Sequence, residues 1–118
     1  MIIILSQPAI EEDIKKASEH YPNYIKITID LEKETVAIGG EYHFDAEQQL
    51  LKLGSKQENI WGGGLELISK TLETYAMINV RTKVNPSQDI CDSTIKHRFL
   101  EIAYKFLKEY AAKPPTLH

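Results

Sequence analysis

Glu41, His43 and Asp45 stand two residues apart along the chain, and they are residue types that move protons and hold metals. In an extended segment, side chains at i, i+2 and i+4 point to one face. An imidazole between two carboxylates can then ligate a divalent cation, or act as the acid/base set of a hydrolase-type enzyme. Simpler uses compete. Asp45 is a good N-cap, with Gln48 three residues on completing a capping box, and Glu41 can merely be solvated. The same block, residues 39–64, holds the only Trp, and Trp61 is followed by Gly62, Gly63 and Gly64. Glycine allows a ligand to approach the backbone closely, and Trp offers a large flat surface. The run is neither GxGxxG nor a P-loop, because no Gly-Lys-Ser/Thr and no helix follow it. A bulged or kinked strand carrying a structural Trp is the reading this spacing favours. Gln57 and Glu58 make the approach to Trp61 polar. Asn79 and Arg81 end a later β-prone run, where the guanidinium can clamp a carboxylate or phosphate, or pair with an acidic side chain of the first half. Ser87 has no nucleophile-elbow setting. The candidate binding set is therefore Glu41, His43, Gln57, Trp61, Asn79 and Arg81. A single site is expected where residues 35–41, extended through His43, meet the Trp61 segment.

The elements that must position these residues follow from periodicity. Residues 1–5 are a continuous apolar run suited to a buried strand. A helix is expected to open at Ser6-Gln7-Pro8, with Ile10, Ile14, Ala17 and Tyr21 forming its stripe, and to stop at Pro22. Residues 24–31 alternate, placing Ile25, Ile27, Ile29 and Leu31 on one face and Lys26, Thr28 and Asp30 on the other. A second run, 35–41, follows a short polar loop and reads as the other arm of an antiparallel hairpin. Asp45 then caps a helix that ends at Gly54. Strands are expected near 59–68 and 72–81, turning at Ser69-Lys70, and a loop over 82–92. The last helix, 95–110, presents Phe99, Ile102, Phe106 and Tyr110 and stops before Pro114-Pro115. The order β-α-β-β-α-β-β-α defines an α+β protein with one mixed, mainly antiparallel sheet of about five strands and three helices. Residues 1–112 make one domain and 113–118 a tail.

At 118 residues, with 42% hydrophobic and 26% charged side chains, the chain is of the size and composition of one globular domain. Residues 1–59 carry 11 acidic and 6 basic side chains, and residues 60–118 carry 6 and 8. Neither half has a basic run that would grip a phosphate backbone, which disfavours nucleic acid as a partner. The opposed halves suit head-to-tail association into a homo-oligomer. The lone Cys91 excludes an intrachain disulfide and a multi-Cys zinc knuckle. The opening apolar run of five residues is too short for a signal peptide or a membrane span, so a cytoplasmic location is expected. Nothing in the sequence calls for a cofactor.

One longer pattern runs through the block. Ile29-Asp30-Leu31-Glu32, Ala37-Ile38-Gly39-Gly40-Glu41-Tyr42-His43-Phe44-Asp45-Ala46-Glu47, Leu50-Leu51, Gly54-Ser55-Lys56-Gln57-Glu58 and Trp61-Gly62 together resemble a small prokaryotic family, domain of unknown function 5674. The opening strand with its acidic helix, and Ile78-Asn79-Val80-Arg81 before a terminal helix, extend the resemblance over most of the chain. Two positions depart from the family pattern: Gly64 stands where it tends to carry Asn, and Thr82 where it tends to carry Pro. The resemblance implies no activity. The residues favour a module that binds a small polar ligand or a protein partner through the 39–64 block. The hydrolase-type enzyme and a purely structural subunit are the alternatives.

Overall fold

The computed structural model describes residues 1–117. Its elements are β1 (Ile2–Leu5), α1 (Glu11–Ala17), β2 (Tyr24–Asp30), β3 (Thr35–Gly39), α2 (His43–Lys52), β4 (Ile60–Glu66), β5 (Thr71–Glu73) and α3 (Ser93–Leu107). The class is α+β, and the element order is the one the periodicities predict. One sheet has strand order β1-β3-β2-β4-β5, and every pairing in it is antiparallel.

The alternation in β2 divides the protein into two layers of packing. Ile25, Ile27 and Ile29 are fully buried on the face covered by α1 and α3, together with Trp61, Leu65, Phe99 and Ile102. The other face is covered by α2, which packs on β2 and β3. Ala46 and Leu50 of α2 are fully buried there. Thr28 and Asp30 are buried on that same face by their position in the strand.

Several boundaries differ from expectation for identifiable reasons. α1 starts at Glu11 rather than at Ser6, because the main chain at Ala9 is tied to the Phe106 carbonyl (2.9 Å). Asp13 reaches back to accept from the Ile10 amide at 3.0 Å. In the α1 stripe Ile14 and Ala17 are buried, whereas Ile10 and Tyr21 are exposed. β3 stops at Gly39, where Gly39 and Gly40 both take left-handed φ values of 90° and 94°. That turn redirects the chain, so His43 begins α2 instead of extending a strand. Asp45 consequently lies inside the first turn and caps nothing; the N-cap is Tyr42, without a side-chain bond. Gly54 does follow the C-terminus of α2 in the left-handed region, at φ 97°.

The expected strand over 72–81 ends at Glu73, and the chain then folds into a long segment before α3. Asp92 caps α3 by accepting from the Thr94 and Ile95 amides at 2.8 and 3.0 Å. α3 ends at Leu107, earlier than its apolar stripe, because Ala112 donates to the Lys70 carbonyl (2.7 Å) and draws the chain back across the β4–β5 turn. Pro114 is buried and Leu117 packs against the main core.

Candidate functional site

Alternation along β4 decides the geometry of the site. Trp61 lies beside Ile29 in the core under α3, and Gly62, one residue on, faces the opposite side. On that side a Cβ at Gly62 would lie 2.6 Å from the Ala76 Cβ and 3.0 Å from His43 Cδ2. A Cβ at Gly64 would run into the phenol of Tyr24, which lies across it. Gly63 faces α3, where Phe99 Cε1 is 2.7 Å from the place of a Cβ. The three glycines are thus required by close approach on two faces. On the α2 face Ala76 and His43 cover Gly62, and the Tyr24 ring covers Gly64.

Tyr24, His43 and Ala76, which cover the two glycines, also line a hollow of about 430 Å³. Tyr24 and Lys26 of β2 form one wall, the start of α2 with His43 and Phe44 a second, and residues 75–78 a third. Three rings at its mouth are solvent-exposed: Tyr42 at 60%, Phe44 at 58% and Tyr75 at 54%. The Tyr24 hydroxyl donates to Glu73 Oε1 at 2.5 Å, and burial followed by that carboxylate raises the Tyr24 pKa, so the phenol stays protonated.

His43 is buried and bonds through Nε2 to the Gly63 carbonyl at 2.6 Å. A carbonyl only accepts, so Nε2 carries the proton and Nδ1 keeps its lone pair. Burial lowers the His43 pKa to about 4; the Gly63 bond opposes the shift and the nearby Lys26 charge adds to it. The folded protein therefore holds this imidazole neutral, while the unfolded chain protonates it near 6.5. The unfolded state binds the extra proton as pH falls from 6.5 toward 4, so stability is present above this window and declines through it. The slope is at most about 1.4 kcal/mol per pH unit. In urea melts at pH 7, 5.5 and 4.5, His43→Gln is expected to lose less stability on acidification than the wild-type protein. Equal losses would show that His43 protonates freely in the folded state.

The remaining expected residues divide between other places. Glu41 and Asp45 are exposed, and with His43 buried in the first turn of α2 the three do not meet. Among the described residues no group of three His, Cys, Asp or Glu side chains is placed to hold a metal ion. Arg81 stacks on Trp61, with its guanidinium carbon 3.9 Å from the ring centroid, and donates to the carbonyls of Glu58 (3.1 Å) and Ile60. Its donors close the start of β4 through main-chain carbonyls, not through the expected pairing with an acidic side chain. Gln57 and Arg81 flank the buried Glu47, whose pKa burial raises against the pull of both. Asn79 is fully buried and completes the edge of β4 where β5 is too short to reach. Its side chain accepts from the Gly62 amide (2.8 Å) and donates to the Gly62 carbonyl (2.9 Å), as a neighbouring strand would. Asn85 fixes the same segment by donating to the carbonyls of Asn79, Ser87 and Asp89 and accepting from the Cys91 amide.

The single shared site is therefore not formed: His43 belongs to the hollow, whereas Trp61, Gln57 and Arg81 gather around a different cavity that also involves Glu58. The hollow adds residues that the sequence pattern did not single out, chiefly Tyr24, Lys26, Glu73 and Tyr75. The available signal was the polar face of β2, where Lys26 and Thr28 alternate with buried Ile.

Helices on both faces of an antiparallel sheet, with an aromatic-rimmed hollow on one face, define a small α+β sandwich. No helix of the described residues is long and apolar enough to cross a membrane. The family model described as Protein of unknown function (DUF5674) matches residues 3–106, and the chain belongs to that family. No curated protein and no solved structure matches the chain.

Proposed function

We propose that this protein is a binding module for a small molecule, held in the hollow between β2, the start of α2 and residues 75–78. The observation that carries this reading is the grouping of Tyr42, Phe44 and Tyr75, all more than half exposed, around one concavity. Single exposed rings are ordinary, but a cluster of them rimming a hollow keeps apolar surface in water at a free-energy cost that a bound ligand removes. About 430 Å³ suits a compound of one or two rings. Catalysis by Glu41, His43 and Asp45 lacks the convergence it requires. The imidazole is also a weak base, because burial depresses its pKa.

The test is a screen of small aromatic compounds read by amide chemical-shift changes on the labelled protein. Shifts are expected to cluster at Tyr42, His43, Phe44, Tyr75 and Met77, with Trp61 and Arg81 unmoved. Phe44→Ala and Tyr75→Ala, both at exposed positions, are expected to weaken binding while leaving the melting temperature within a few degrees, as surface changes do. Compounds that bind only at the Trp61 cavity, or variants that bind unchanged, would defeat the proposal.

A further inference from the structure

Building on that reading, we propose that the ligand is an aromatic monocarboxylate that also carries a ring N–H or O–H donor. Three features of the hollow carry this. The first is Lys26. It is half-buried in the wall, with Nζ 4.8 Å from the Tyr21 ring centroid and 5.6 Å from that of Tyr24. Among the described residues it has no ion-pair partner, unlike Lys16, Lys96 and Lys105. A cation placed against two rings and partly withdrawn from water attracts an anion more strongly than a fully solvated lysine does.

The second feature is the balance of charge. Among the described residues Lys26 is the one cation lining the hollow, and Glu73 is the one carboxylate. Glu73 is engaged by the Tyr24 hydroxyl and sits on the same side, which repels a ligand of higher negative charge. One free ammonium beside an engaged carboxylate matches a single negative charge, hence a carboxylate in preference to a dianionic phosphate. The third feature is His43. Its Nε2 proton is committed to Gly63, so Nδ1, which has no protein partner among the described residues, offers only a lone pair. A lone pair fixed in position selects a donor on the ligand. Between these two anchors the rings of Tyr42, Phe44 and Tyr75 favour a flat aromatic body.

Three probes separate the elements of the proposal: indole-2-carboxylate, indole-2-carboxamide and 1-methylindole-2-carboxylate. The carboxylate is expected to bind about tenfold to a hundredfold more tightly than the carboxamide, the range for a charged hydrogen bond. The N-methyl compound is expected to lose about tenfold, for want of the donor to Nδ1. Lys26→Met is expected to erase the preference for carboxylate over carboxamide, and Lys26→Arg to retain it, with melting temperatures confirming that both variants fold. If carboxylate and carboxamide bind the hollow equally, or Lys26→Met keeps the preference, the carboxylate assignment is overturned while the binding-module reading stands. If the N-methyl compound binds as well as its parent, the donor requirement is wrong. If no probe shifts the amides of residues 42–44 and 75–77, this inference is overturned, and the binding reading falls with it only when the wider screen also leaves those amides unmoved.

Discussion

Asn79→Ala is expected to lower the stability of the fold by about 2–6 kcal/mol, from two orphaned main-chain groups at about 1–3 kcal/mol each. Those groups are the amide and carbonyl of Gly62. They point away from β2 toward the sheet edge, and β5 pairs only with residues 64–66. The Asn79 side chain meets both, and also donates to the carbonyls of Thr74 (3.1 Å) and Gln88 (2.9 Å). Thr74 and Gln88 have other partners, the amides of Ile90 and Ala76, so the cost falls mainly on Gly62. Asn79→Asp is the sharper variant. It keeps the shape and replaces the donor by a carboxylate oxygen facing three carbonyls, so it should be at least as destabilising as Ala. Urea unfolding measures the magnitude, and hydrogen exchange is expected to show amides of residues 74–91 opening first. A loss below about 0.5 kcal/mol for both variants, the size of an ordinary surface change, would mean that water replaces this side chain without cost.

Phe99→Ala is expected to cost about 3–5 kcal/mol, the range for deleting a buried aromatic ring. Phe99 is fully buried at the centre of the α3 face and packs against Gly63 in the middle of β4. The cavity left by its removal cannot be filled from the strand, because Gly63 has no side chain and a larger residue there would meet the Glu73 carbonyl. Tyr110 provides the comparison. It stands beyond the end of α3 and is only partly buried, so Tyr110→Ala is expected to cost distinctly less. Paired urea melts of the two variants check the order. Equal losses would show that the core is not centred on the α3 stripe.

Period and composition made much of the fold legible. The alternation in residues 24–31 encodes a strand with one apolar face wherever that strand is placed. The apolar stripe of α3 encodes a helix in the same way, and Gly54 encodes the left-handed terminus of α2 because only Gly takes that conformation without strain. The 39–64 block was harder to read because its signals are short. Gly39 and Gly40 were compatible with a strand end or with a turn. The turn moves His43 from a strand to a helix, which separates it from Glu41 and Asp45. Asp45 has the chemistry of a cap but lies three residues too late to act as one.

What the sequence by itself determined was the set of elements, their order and the α+β class, because these depend on patterns a few residues long. The tertiary structure alone decided which residues share a site. Pairing of Lys26 with Gly64 and of Thr28 with Gly62 brings Tyr24 and Lys26 over a glycine strip about 40 residues away in the chain. The same pairing turns Trp61 to the opposite face and leaves Arg81 to stack on it there. Register and the choice of face are set by contacts between distant segments competing for one core, and no local pattern carries that information. The hollow beside His43 is therefore a product of packing, assembled from residues that have no common motif.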